Sequence, residues 1–136
     1  MQKKIIIQNL KIGVIGGAKS TLASLKTLKK NNFKKIDIFF YVPKKNTYLV
    51  EYCNLKKSFF YKQFNYFKFT KIKEIEKKII KQKYDILLCI GLSQLISHNV
   101  ISSVKYGCVG FHPSDLPFGK GRSAVAWNIL NNLNYR

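Results

Sequence analysis

The chain has 136 residues, enough for one domain with a hydrophobic core but too few for two, and its 46% apolar content excludes disorder as the default. Its longest apolar runs, such as residues 86–90, are far shorter than a bilayer requires, and the amino-terminal apolar patch is too short for a signal peptide. The net charge of +19 makes a nucleic-acid-binding module an alternative. Only two of the 25 basic residues are arginine, however, and the lysines form no dense stripe along the sequence. This alternative would therefore require the fold to assemble a contiguous lysine face.

A strand, a glycine turn and a helix open the predicted fold. Residues 11–17 form a short apolar run that ends in glycines, and the helix that begins at Ser20 has leucines at helical spacing. Such a turn points backbone amides at an anion, so we expect Gly16, Gly17 and Ser20 to contact a substrate, although a tight turn that simply needs glycine explains the pattern equally well. Residues 36–42 predict a second strand, and this spacing favours a parallel, right-handed crossover.

The middle of the chain predicts a loop, an edge strand and a covering helix. We expect a loop at residues 43–58, on the acceptor side of a site. The aromatic stretch 59–69, interleaved with lysines, predicts a strand with its packing surface, and stacking on nucleic-acid bases is the alternative. Residues 71–82 repeat isoleucines at helical spacing and predict an amphipathic helix that covers the sheet.

Residues 86–90 are apolar at every position, as expected of a central parallel strand buried on both faces. The loop at 91–96 follows at its carboxyl end and leads to a short helix at 100–104. Alternating strands and helices predict an α/β fold with three layers: a mostly parallel sheet with helices on both faces.

Chemistry-bearing residues are concentrated between Gly107 and Arg122. Val109 and Phe111 alternate with their neighbours, which predicts a buried strand whose last residue is His112. At a strand tip His112 would donate to a carbonyl oxygen that becomes negative during a reaction, or it is only hydrogen-bonded there. Arg122 opens a last helix, 123–133, with Ala124, Trp127 and Leu130 at core spacing, and would bind a carboxylate or phosphate or be a solvated cap.

The run Phe-His-Pro-Ser-Asp-Leu-Pro at 111–117, followed by Gly-Arg-Ser-Ala and a helix, resembles the Asn-x-His-Pro-Ser-Leu-Leu-Pro motif of the amino-terminal, folate-binding domain of formyltransferases. Lys-Ser-Thr-Leu at 19–22 and Gly-Phe-His-Pro at 110–113 look like the branch of that family that formylates amino sugars. The resemblance implies a Rossmann-like fold and a cytoplasmic, metal-free transferase that moves a formyl group from 10-formyltetrahydrofolate to a primary amine. The acceptor that it implies first is a nucleotide-linked amino sugar. The alternatives are methionyl-tRNA and a non-catalytic remnant that binds folate or a partner.

The resemblance also assigns site residues. His112 matches the catalytic histidine, and Arg122 joins Gly16, Gly17 and Ser20 on the acceptor side. The residues that match the folate-lining positions fall in two loops: Leu92, Ser93, Gln94 and Leu95 in one, and Ser114, Asp115, Leu116 and Pro117 in the other.

Two positions depart from the family. Gly110 stands where the family has an asparagine that helps to stabilise the oxyanion, and Asp115 occupies a leucine position. No carboxylate of the chain matches the family's catalytic aspartate, which lies beyond the motif, so we expect residues 1–136 to be an incomplete, truncated amino-terminal domain. The three cysteines (Cys53, Cys89 and Cys108) include no close pair, which disfavours a disulfide or a metal site and suits a reducing cytoplasm.

Overall fold

The computed structural model describes residues 7–44, 63–114, 116–121 and 124–131. These residues form one five-stranded, wholly parallel sheet in the order β3-β2-β1-β4-β5. In chain order, after a single helical turn at Ile7–Asn9, the elements are β1 (Lys11–Gly16), α1 (Lys19–Lys30), β2 (Lys35–Tyr41), β3 (Asn65–Phe69), α2 (Lys73–Gln82), β4 (Ile86–Cys89), α3 (His98–Ser102), β5 (Cys108–Gly110) and α4 (Ala124–Leu130). The chain builds outward from β1 to β3 and then returns to add β4 and β5 on the other side, so the strand order reverses between β1 and β4.

Each face of the sheet carries its own hydrophobic core. On one face, Val14 and Ile38 pack with Leu25 of α1. On the other, Ile15 and Phe39 pack with side chains of α2 and α3, Ile79 and Val100 among them. Helices therefore cover both faces, and the predicted three-layer α/β architecture is confirmed.

A buried carboxylate links β2, β3 and the start of β4. Asp37 is 6% exposed. It accepts hydrogen bonds from the Tyr84 hydroxyl at 2.6 Å and from Asn65 Nδ2 at 2.8 Å, so both of its oxygens are partnered. Burial, and then the contact with Asp37, raises the pKa of the Tyr84 phenol well above its ordinary value.

The region after β4 corrects several predictions. β5 ends at Gly110, two residues before His112, and Val109 is 53% exposed, so a buried strand ending at the histidine was wrong. The core spacing in the last helix was also wrong, because α4 follows an edge strand and buries only Ala124, while Trp127 and Leu130 are 60% and 73% exposed. α3 begins at His98, earlier than predicted.

The expected loop from residue 45 onward and the start of the aromatic stretch, to residue 62, lie outside the described residues. Within the described part of the chain, no helix combines the length and the apolar character needed to cross a membrane.

Candidate functional site

Three neighbouring strands end together at the carboxyl edge of the sheet. The register aligns Ile15 of β1 with Cys89 of β4, and Cys89 with Gly110 of β5. Strands in a sheet lie about 4.8 Å apart, so the ends of β1 and β5 are about 10 Å apart, and His112 follows at one end of this row. In open α/β sheets this edge, where the strand order reverses, is where ligands bind.

The ring of His112 is oriented by its own loop. Its Nε2 lies 3.2 Å from the carbonyl oxygen of Gly119. A carbonyl can only accept, so this contact places a proton on Nε2. The residue is half-buried, so part of it remains accessible to a ligand.

The loop that carries His112 is closed by short-range hydrogen bonds. Ser114 Oγ donates to the Phe118 carbonyl and Asn128 Nδ2 of α4 donates to the Pro113 carbonyl, both at 3.2 Å. Gly119 has a φ of +66°, and a Cβ there would lie 3.0 Å from Ser114 Cβ, so the turn requires glycine. The resulting loop holds the histidine in place without help from a long strand.

The glycine turn after β1 packs against the end of β4. A Cβ on Gly16 would lie 1.9 Å from the Ile90 carbonyl oxygen, which also accepts a 2.6 Å hydrogen bond from Thr21 Oγ1. The Gly17 amide donates to the Gly91 carbonyl at 3.3 Å. A Cβ on Gly17 would lie 2.9 Å from the Tyr41 carbonyl oxygen, so close packing requires glycine at both positions. Contact of Gly16, Gly17 and the half-buried Ser20 with a substrate stays a prediction.

Gln94 joins the loop after β4 to the turn before α2. Its Nε2 donates to the Thr70 carbonyl and its Oε1 accepts from the Ile72 amide, both at 2.8 Å. Each polar end of this side chain thus makes one hydrogen bond within the fold, and these bonds hold the loop in place. Of its neighbours, Leu92 packs against the core while Ser93 and Leu95 are exposed, Leu95 by 92%.

The second predicted folate loop lies beside the histidine. Ser114 is half-buried, and Leu116 and Pro117 are exposed. Leu116 and Phe118, which are 56% and 74% exposed, present apolar surface at this edge. Asp115 and Arg122 lie outside the described residues. The structure thus brings His112, Ser114, Leu116 and Pro117 together in one loop.

Sequence reasoning missed Thr21, which accepts from the Ala18 amide at 3.2 Å and donates to the Ile90 carbonyl, and so joins the first turn of α1 to β4. The sequence did contain a signal for this role: the N-cap residue, Ala18, has no polar side chain, and a threonine at the third helical position can bond the free amide instead. It also missed Gly119 as the hydrogen-bond acceptor of His112, because a contact between a side chain and a carbonyl seven residues away has no periodic pattern.

The two cysteines that the structure describes are not set up as nucleophiles. Burial, and then the proximity of Cys108, raises the pKa of Cys89 to about 12, and burial raises the pKa of Cys108. Both therefore remain thiols at neutral pH, where a thiol reacts poorly. Among the described residues, no three His, Cys, Asp or Glu side chains are grouped closely enough to hold a metal ion.

Two surface cavities lie away from His112. One, of about 450 Å³, is at the opposite edge of the sheet and is lined by Lys11, Asp37 and Asn65 among others. The other, of about 440 Å³, lies between β3 and α2. We do not place the candidate functional site in either cavity, because the polar loop residues lie at the carboxyl edge of the sheet.

No protein-family model matches the chain. The chain is similar in sequence to two curated methionyl-tRNA formyltransferases. The one from Prochlorococcus marinus is 36% identical over 62 residues, which cover 46% of this chain and 18% of the relative. The one from Malacoplasma penetrans is 28% identical over 80 residues, covering 59% and 25%. The chain therefore matches a quarter or less of the length of these relatives.

Solved formyltransferase structures share the fold. Glycinamide ribonucleotide transformylase 1 from Geobacillus kaustophilus superposes with a TM-score of 0.67 at 15% identity, covering 92% of this chain and 70% of that one. A 4-N formyltransferase from Francisella tularensis gives a TM-score of 0.60 at 20% identity, covering 91% and 46%. The resemblance to formyltransferases and the Rossmann-like α/β fold predicted from the sequence are both confirmed.

Proposed function

We propose that this chain provides the folate-binding site of a formyltransferase, which transfers a formyl group from 10-formyltetrahydrofolate to a primary amine. The observation that carries the proposal is the position of His112, which is oriented by Gly119 at the carboxyl edge of the sheet within the stretch that resembles the formyltransferase motif. We place this activity in the cytoplasm, where free thiols such as Cys89 and Cys108 stay reduced.

The chemistry requires the acceptor nitrogen to attack the formyl carbon, which turns the carbonyl oxygen into an oxyanion. A proton passes from the new ammonium group through a base to the folate nitrogen, and the bond from the carbon to that nitrogen breaks. In its present contact His112 commits its Nε2 proton to Gly119, so donation to the oxyanion needs either a proton on Nδ1 or release of the Gly119 carbonyl. Gly110, in the family's asparagine position, offers no side-chain donor.

The residues present at this edge fit a planar ring system. Leu116 and Phe118 supply exposed apolar surface in the loop that carries the histidine. The hydrogen bonds of Gln94 to Thr70 and Ile72 hold the loop after β4 in place, and the backbone of residues 92–95 then recognises the pterin edge.

Two acceptors remain candidates. Lys-Ser-Thr-Leu at 19–22 and Gly-Phe-His-Pro at 110–113 favour a nucleotide-linked amino sugar, and the Francisella structural neighbour is named a 4-N formyltransferase. The curated relatives named above are methionyl-tRNA formyltransferases and favour methionyl-tRNA. A remnant that binds folate without transferring the formyl group is the non-catalytic alternative.

The test offers 10-formyltetrahydrofolate with a labelled formyl group to the chain in the presence of either acceptor and measures labelled product by mass spectrometry. Transfer that falls by about a hundredfold or more in His112→Ala supports the proposal. His98→Ala is the matched control, because His98 is exposed on α3, where its ring lies within hydrogen-bond distance of Ser102 Oγ. Transfer to neither acceptor above the His112→Ala level contradicts formyl transfer by this chain.

A further inference from the structure

The exposed face of α1 carries a straight row of lysines. Lys26 and Lys30 follow Lys19 by 7 and 11 positions. At 3.6 residues per turn both lie within about 20° of Lys19 around the helix axis, and the row is about 16 Å long. All three side chains are exposed. The row is not evident in the linear sequence, because residues of the buried face of the helix separate its lysines.

No negative charge offsets the row within the first part of the chain. Residues 1–36 contain no aspartate or glutamate. The first acidic residue, Asp37, is buried and its oxygens bind Tyr84 and Asn65. The lysines in this stretch number nine: Lys3, Lys4, Lys11, Lys19, Lys26, Lys29, Lys30, Lys34 and Lys35. By contrast, α2 carries Glu74 and Glu76 beside its lysines.

The inner face of α1 excludes insertion into a lipid surface. Leu25 and Thr21 are fully buried against the sheet, whereas a helix that lies in a membrane interface must present its apolar side to the lipid. Between the lysines of the outer face stand Ala23 and Thr27, which offer no large apolar group. The chemistry of the row is therefore electrostatic, and its partner is a water-exposed polyanion.

We propose that the α1 lysine row, formed by Lys19, Lys26 and Lys30, binds the phosphate backbone of a nucleic acid. Successive phosphates of one strand are about 3.4 Å apart along the helix axis of DNA, so a row of about 16 Å can follow several of them. Lysine ammonium groups act as point charges without base readout, so the binding is independent of sequence and strongly dependent on salt. Lys19 lies next to the glycine turn, so the bound strand approaches the carboxyl edge of the sheet at that end. The inference does not depend on formyl transfer.

The test compares two triple variants of the full chain that lose the same charge. Lys19→Gln/Lys26→Gln/Lys30→Gln removes the row, and Lys73→Gln/Lys77→Gln/Lys81→Gln removes three exposed lysines from one face of α2. Glutamine and lysine have similar helix propensity, so both variants should fold, which circular dichroism checks. The probes are fluorescent 20-nucleotide DNAs, single-stranded and duplex, titrated across a range of salt concentrations.

We expect the α1 variant to bind at least tenfold more weakly at low salt. The slope of log affinity against log salt should become shallower by about 2 on single strands and by nearly 3 on duplex, because three phosphate contacts are lost. The α2 variant should keep a slope within about 1 of that of the parent chain, and His112→Ala should bind as the parent does.

Equal losses in the two triple variants would overturn the proposal, because they would show that only net charge matters. An α1 variant that binds DNA as tightly as the parent would overturn it as well. If the parent chain binds phosphatidylserine-containing vesicles through the row but does not bind DNA, the partner is a membrane and the proposal fails.

Discussion

Replacing Gly16 with alanine should break the junction between β1 and β4. The added Cβ would lie 1.9 Å from the Ile90 carbonyl oxygen and 2.4 Å from Thr21 Oγ1. Both distances are far below van der Waals contact, and neither atom is the free end of a flexible side chain. The two strand ends must separate, which removes the 2.6 Å hydrogen bond from Thr21 to Ile90 and the 3.3 Å bond from Gly17 to Gly91.

Two contributions set the size of this effect. Overpacking costs about 1 to 3 kcal/mol, and leaving a partly buried carbonyl without its donor costs about 1 to 3 kcal/mol more. The free energy of unfolding should therefore fall by about 2 to 6 kcal/mol, a large share of the roughly 5 to 15 kcal/mol that stabilises a domain.

Urea unfolding followed by circular dichroism measures this loss. Gly110→Ala is the control, because the nearest atom to a Cβ there is the Cys89 carbonyl oxygen, at 3.8 Å. That variant should stay within about 1 kcal/mol of the parent. A Gly16→Ala chain as stable as the Gly110→Ala chain would refute the close approach of the two strand ends.

Three further predictions concern single side chains. Gln94→Ala should lower the free energy of unfolding by about 2 kcal/mol, since the Ile72 amide and the Thr70 carbonyl lose their partner; an unchanged urea midpoint would contradict that bridge. The folded state raises the pKa of Tyr84 above that of an unfolded tyrosine, which is about 10. The free energy of unfolding should therefore be constant with respect to this group below about pH 10. It should fall at higher pH, because the unfolded chain then releases a proton that the folded chain keeps. Urea midpoints from pH 8 to 11 should show this fall, with a smaller slope in Tyr84→Phe; equal slopes would rule it out. In Gly110→Asn the added Cβ would meet no atom closer than the Cys89 carbonyl oxygen, at 3.8 Å, so stability should stay nearly unchanged. Formyl transfer should rise, because the asparagine adds an oxyanion donor; slower transfer would argue against that role.

Periodicity predicted the parts of the fold that local physics determines. The apolar run of β4 and the helical spacing in α1 and α2 identify buried elements because each must hide one face or both from water. The parallel sheet with helices on both faces followed, since strands alternate with helices, whereas the strand order came only from the structure. The errors lie at the β5 edge, where Val109 and Trp127 have core-like spacing but remain exposed. A spacing rule cannot tell a central strand from the last one, because that depends on what packs outside it.

The site was less predictable than the fold. The motif identified His112 and its loop, but the role of Gln94 depends on Thr70 and Ile72, more than 20 positions earlier in the chain, and only the fold reveals it. The lysine row of α1 could have been found by plotting the sequence on a helical wheel rather than by searching for adjacent lysines.

The most direct test of the central claim is thermal unfolding of the chain with and without 5-formyltetrahydrofolate, a stable analogue of the formyl donor. A ligand that binds only the folded state at a hundred times its Kd adds about 2.7 kcal/mol, which for a domain of this size raises the midpoint by about 10 °C. We predict such a shift in the parent chain and in His98→Ala, and its loss in the double variant His112→Ala, Leu116→Ala. A cooperative transition that saturating ligand does not move would contradict a folate site at the carboxyl edge of this sheet.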